Sequence, residues 1–111
     1  MTEAQFKQKV HRFLKTRRCK FISLNKRSWP DILVIGDYDP HEPPHQIVPM
    51  FFIEFKQDQH GSYRLQPHQA LRIEDFRRRN KIVLVIDTMM DWKSEISQTL
   101  NGFIPKQEDL K

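Results

Sequence analysis

Between Thr2 and about Arg18 the apolar residues Phe6, Val10, Phe13 and Leu14 return every three or four positions. That period gathers them on one stripe of a helix, and Thr2 stands just ahead of it with a hydroxyl suited to cap the first free N–H groups. The pattern then changes. Phe21, Ile22 and Leu24 suggest a short strand, followed by a polar turn from Asn25 to Trp29. Ile32 to Ile35 is a continuous apolar and mostly β-branched run between Pro30 and Gly36, which predicts a buried strand. Met50 to Lys56 predicts a second strong strand, and a polar turn follows around Gly61 and Ser62. Pro67 marks a helix start, because its missing N–H costs nothing in the first turn. Ala70, Leu71, Ile73 and Phe76 continue that helix to about Arg79. Ile82 to Ile86 reads as a third strong strand and Trp92 to Leu100 as a last short helix.

The order helix, strand, strand, strand, helix, strand, helix defines an α/β domain: a central mixed β-sheet flanked by helices. The helix between the strand ending at Lys56 and the one starting at Ile82 predicts a right-handed parallel crossover. The segment Asp37 to Pro49 holds Pro40, Pro43, Pro44 and Pro49 and is expected to be a loop, since proline fits neither a helix interior nor a central strand. One domain spanning 1–111 is expected, with its core over about 2–104 and a polar, flexible tail at 105–111. A chain of 111 residues buries only a modest core, so a symmetric homodimer is the expected assembly.

Charge adds a partner class. The net charge is +5, with basic residues bunched at Lys15, Arg17, Arg18 and Lys20, at Lys26 and Arg27, and at Arg77 to Arg79. Such a balance suits a polyanion, because neutralised phosphates release condensed counterions. It equally describes a solvated face, so charge alone settles nothing. A single cysteine, Cys19, excludes an intrachain disulfide and fits a reducing compartment as a small apolar side chain. The start MTEAQFKQKV lacks an apolar signal region, and no apolar run approaches the roughly eighteen residues of a membrane span. A soluble cytoplasmic protein is expected.

The chemistry concentrates on the two most apolar strands. Asp31 opens the first directly after Pro30, and Glu54 and Lys56 lie two apart on the second, so they share a face. If the strands are neighbours, two carboxylates and an ammonium converge. The alternative is an exposed Glu54 and Lys56 on an edge strand. Against it, Ile32 to Ile35 and Phe51 to Ile53 read as buried carriers, and buried charges need partners. A divalent cation would compensate both carboxylates, and Mg2+ suits them as a hard ion preferring oxygen ligands. The backbone carbonyl of Phe55 would add a ligand, and Lys56 would offset charge on a phosphate in the transition state.

Trp29-Pro30-Asp31 followed by Phe52-Ile53-Glu54-Phe55-Lys56 resembles the P-D…(D/E)-x-K signature of the restriction-endonuclease-like nuclease superfamily. Glu3 near the start of the first helix, and Leu65-Gln66-Pro67-His68-Gln69 opening the helix after the motif, look like the VRR-NUC branch found in phages and DNA-repair enzymes. Archaeal Holliday-junction resolvases share much of that core. The resemblance covers roughly residues 2–92. It implies a restriction-endonuclease-like core and a Mg2+-dependent endodeoxyribonuclease, with Mn2+ as a substitute, leaving a 5′-phosphate and a 3′-hydroxyl. It implies Asp31 and Glu54 as metal ligands, Lys56 in catalysis, Gln69 supporting the site, and Glu3 as an outer carboxylate. Branched, flap or junction DNA is the expected substrate, in repair or recombination. The rival is a module of the same fold that binds nucleic acid without cutting it. The chain departs from many relatives in carrying Trp29 where they have glycine, a side chain placed either to stack on a base or to close the core.

Lys26, Arg27, Arg64 and Arg72 lie close in sequence to these elements and are the expected contacts to the DNA backbone. His41 and His45 read as solvated loop residues, and His60 and His68 flank the site. Arg77 to Arg79 end a helix, where the dipole favours cations anyway.

Overall fold

A computed structural model describes residues 2–26, 29–36, 49–59 and 62–102, with the side chains of 57–59 and 62–64 excepted. Helix α1 (Glu3–Thr16) is followed by β1 (Lys20–Ser23), β2 (Ile32–Ile35) and β3 (Met50–Phe55), and by the short strands β4 (Gln57–Gln59) and β5 (Ser62–Arg64). Then come α2 (Pro67–Arg78), β6 (Val83–Ile86) and α3 (Trp92–Leu100). The main sheet has the order β1-β2-β3-β6. β1 pairs antiparallel with β2, β2 antiparallel with β3, and β3 parallel with β6 across the α2 connection. The α/β class, the mixed sheet and the neighbouring of β2 and β3 therefore stand. β3 lies between two partners, so the edge-strand alternative falls.

Local chemistry sets the boundaries. The Thr2 hydroxyl accepts from the Gln5 N–H at 3.2 Å while the Gln5 side chain takes the Thr2 N–H at 2.9 Å, a reciprocal cap that starts α1 where its apolar stripe begins. After α1 and α2 the chain turns through left-handed residues, Arg18 (φ 58°) and Asn80 (φ 61°). In both cases the next N–H bonds back into the last turn: Cys19 to the Leu14 carbonyl and Lys81 to the Phe76 carbonyl, each at 3.0 Å. One difference from the sequence reading is the β4–β5 pair, where a turn alone is expected around Gly61 and Ser62. Its β4 segment, Gln57-Asp58-Gln59, is entirely polar and lacks the apolar alternation by which a strand is recognised.

The alternation of β3 feeds two cores. On one side Phe51, Ile53 and Phe55 pack with Phe6, Val10 and Leu14 of α1 and Ile96 of α3. Phe6 meets Phe55 and Trp92 edge to face at 5.4 and 5.8 Å. On the other side Phe52 packs with Ile73 of α2 and with Val83 and Val85 of β6. Trp29 lies at the rim of this second core: its ring meets Phe76 at 5.2 Å and Phe52 at 6.2 Å, while the residue stays 41% exposed. On the same face Ile22 and Met50 stay more than half exposed.

Candidate active site

Because β3 and β6 are parallel and β2 antiparallel to β3, the ends of β3 and β6 and the start of β2 fall on one edge of the sheet. The first turn of α2 and the first turns of α1 reach the same edge. This is where ligands gather in open α/β sheets.

Asp31 is built into that edge. Its carbonyl accepts from the Leu24 N–H at 2.7 Å, and its side-chain Oδ2 accepts from the Phe55 N–H at 2.8 Å. The carboxylate thus continues the β2–β3 ladder past Ile32. In an extended residue the N–H and C=O project to the same side, so the Phe55 carbonyl lies on the Asp31 side of β3. Burial raises the Asp31 carboxyl above its usual range, only partly opposed by the Phe55 hydrogen bond and by the charges of Lys7 and Arg72.

Glu54 is 0% exposed. Its Oε1 accepts from Gln69 Nε2 at 3.1 Å and from the Arg72 guanidinium at 2.6 Å, both presented by α2. Its Oε2 is buried and has no hydrogen-bond partner among the described residues. Desolvation pushes the Glu54 carboxyl up to about 7, helped by the neighbouring Asp31 charge and opposed by Arg72 and, more weakly, by the Asp31 backbone N–H. A carboxylate whose charge raises the pKa of its neighbour, as that of Asp31 does for Glu54, is close enough to compete with it for one proton or to share one cation.

Gln69 holds this arrangement from both ends of its amide. Its Oε1 takes the Gln66 N–H at 2.7 Å, fixing the start of α2, and that leaves Nε2 directed at Glu54. Gln69 thus stands between the start of α2 and the Glu54 carboxylate. Gln69→Ala is expected to lose both bonds, costing about 1–3 kcal/mol of stability, with a larger proportional loss of any activity. Urea denaturation run beside a cleavage assay measures the two together.

Lys56 lies just beyond β3, its backbone N–H still bonded to the Ile86 carbonyl at 3.0 Å. Its ammonium is 3.8 Å from Oδ2 of Asp87, the residue that follows β6. Asp87 is nearly buried, and its other oxygen accepts from the N–H groups of Met89 and Met90 at 2.8 and 3.1 Å. Sequence reasoning missed Asp87, although an acid directly after an apolar parallel strand was a usable sign.

Arg72 is the main correction. Its guanidinium is spent on Glu54, and its side chain is only 12% exposed, so it is part of the site rather than an open contact for DNA phosphate. Glu3 is half exposed and paired with Lys7 at 3.3 Å, with its charge felt at Asp31, which places it at the rim. Lys26 is exposed, and His68 is exposed in the first turn of α2. Arg27, His41, His45 and His60, the side chain of Arg64, most of the proline-rich segment and the 105–111 tail lie outside the described residues. Among the described residues no group of three His, Cys, Asp or Glu side chains forms a metal cage, and no helix is long and apolar enough to cross a membrane.

No family model, curated protein or solved structure matches the chain.

Proposed function

We propose that the chain is a metal-dependent DNA endonuclease with a restriction-endonuclease-like core and VRR-NUC-like motifs, acting on branched, flap or junction DNA. One observation carries this reading. Glu54 is wholly buried, has one oxygen fixed by two donors and the other without a well-formed hydrogen bond among the described residues, and sits against a second carboxylate that is also hard to ionise. A structural ion pair would leave no buried oxygen unanswered, since an unsatisfied buried acceptor costs about 1–3 kcal/mol. A divalent cation answers it.

The donor set fits Mg2+, and Mn2+ in its place: Glu54 Oε2, a carboxylate oxygen of Asp31 and the Phe55 carbonyl are all hard oxygens. Three protein oxygens leave room for waters and phosphate, as this ion prefers. When bound, the cation supplies Lewis-acid activation of water and of the phosphoryl oxygen. The chain's own residues do the rest. Gln69 and Arg72 hold Glu54 in one rotamer, the Phe55 N–H holds Asp31, and Asp87 stands beside the Lys56 ammonium at the same edge. From there Lys56 offsets negative charge as the phosphorus becomes five-coordinate. Products with a 5′-phosphate and a 3′-hydroxyl, a homodimeric assembly and a cytoplasmic place belong to the same reading. The exposed Ile22 and Met50 support self-association, which sedimentation equilibrium measures.

A second reading keeps the fold without the chemistry. The 2.6 Å pair of Arg72 with Glu54 favours it, because a guanidinium already supplies a cation at that carboxylate. A panel of plasmid, single-stranded, flap and four-way-junction DNA, with Mg2+, Mn2+ or chelator, separates the two. Cleavage of a branched substrate only with divalent metal is expected. Metal-independent binding with no hydrolysis in either ion would favour the second reading.

A further inference from the structure

The positive charge of this protein is not spread over its surface. Residues 3–20 contain Lys7, Lys9, Arg12, Lys15, Arg17, Arg18 and Lys20 against the single acid Glu3, a net charge of +6, while the whole chain carries +5. Everything else is close to neutral. Burial of Phe6, Val10 and Leu14 turns the opposite side of α1 outward, so Lys9, Arg12 and Lys15 are exposed on it. Arg17, Arg18 and Lys20, also exposed, prolong the run past the helix end.

Neutralisation separates this patch from the other basic run. On α2, Arg78 pairs with Glu74 at 2.6 Å and Arg79 with Asp75 at 3.3 Å. Among the described residues, none of Lys9, Arg12, Lys15, Arg17, Arg18 or Lys20 forms an ion pair. A probe of the field lies on the same helix. His11, between Lys7 and Lys15, has its pKa lowered by burial and then by the charges of Lys15 and Lys7.

We propose that the outer face of α1, centred on Lys9, Arg12 and Lys15 and prolonged by Arg17 and Arg18, is a surface that grips the phosphate backbone of duplex nucleic acid. From Lys9 to Lys15 the helix rises about 9 Å, on the order of three phosphates along one strand. Cations without a polar reading frame recognise backbone charge and leave base sequence unread. A membrane is the weaker partner: the apolar side of α1 is buried on the sheet, so none is left to insert beside the lysines. Orientation toward cleavage rests on the nuclease reading. The first turns of α1 carry Glu3 and Lys7, whose charges reach Asp31, so a duplex held along α1 leads toward the candidate site.

The test measures binding apart from cutting. Fluorescence anisotropy of a labelled duplex in chelator, over a series of KCl concentrations, compares the full chain with a K9Q/R12Q/K15Q variant. The variant is expected to bind at least about tenfold more weakly at low salt, and its slope of log K against log [KCl] should be shallower by about 3. Each single change should remove about 1 from the slope, which keeps the test valid if circular dichroism shows the triple variant unfolded. R78Q/R79Q should change neither quantity. Unchanged duplex affinity and slope in the α1 variants, or equal losses in R78Q/R79Q, would overturn the proposal. So would loss of phosphatidylserine-vesicle binding with duplex binding intact. Duplex binding lost in the α1 variants, with no cleavage by the wild type in Mg2+ or Mn2+, would support this surface and sink the nuclease reading alone.

Discussion

Glu54→Gln should abolish hydrolysis while making the metal-free protein more stable above neutral pH. The first half follows from the proposed ligand role: an amide keeps the shape and the Arg72 and Gln69 neighbours but removes the charge that holds a divalent ion, a loss on the order of a thousandfold or more in rate. The second half follows from burial. A carboxyl raised from 4.5 to about 7 binds its proton more tightly folded than unfolded. Its contribution to stability is therefore most favourable below about 4.5 and is lost as the pH rises through about 7. At roughly 1.4 kcal/mol per unit, the ionised buried acid costs on the order of 3 kcal/mol. The neutral isostere never ionises. Asp31→Asn should show the same loss of cleavage and, since Asp31 is also raised, the same direction in stability. Thermal unfolding at pH 5 and pH 8 beside a junction-cleavage assay reads both. A purely structural Glu54 predicts the same gain in stability with nothing lost in activity.

The second large effect is on pH. With Mg2+ below saturation, cleavage should climb about tenfold per pH unit below 7 and level off above it, because the ion takes the carboxylate and competes with its proton. Raising Mg2+ should move the midpoint to lower pH. A profile insensitive to Mg2+ concentration would separate the titrating group from the metal site.

How far these residues could be read without the fold follows from the range of each signal. Periods of 3.6 and 2 are local, so α1 was legible from Phe6, Val10, Phe13 and Leu14, and β2 and β3 from Ile32 to Ile35 and Phe51 to Ile53. Asp31 and Glu54 could be paired in advance because both sat on strands apolar enough to be central, and charges there need company. The helix over Trp92–Leu100 matches to the residue, helped by Asp91, whose side chain caps it at the Ser94 N–H. What failed were contacts between elements. Arg72 stands three positions after Gln69, on the same face of α2, yet its place in sequence beside a nuclease-like motif suggests a DNA contact; only the packing of α2 on β3 turns it inward. Asp87 joins the site through the parallel register of Phe55 with Ile86, which no local period encodes. The β4 strand has no apolar face and is specified by its pairing with β5 alone.

In the proposed nuclease one divalent cation is held between Asp31 and Glu54. Isothermal titration of Mn2+ into the metal-free protein near pH 7, in two buffers of different ionisation enthalpy, tests it directly. A single saturable site is expected that releases protons, because Glu54 is partly protonated there, and that disappears in Glu54→Gln. An isotherm that is flat for the wild type, or one that survives unchanged in the variant, would contradict it.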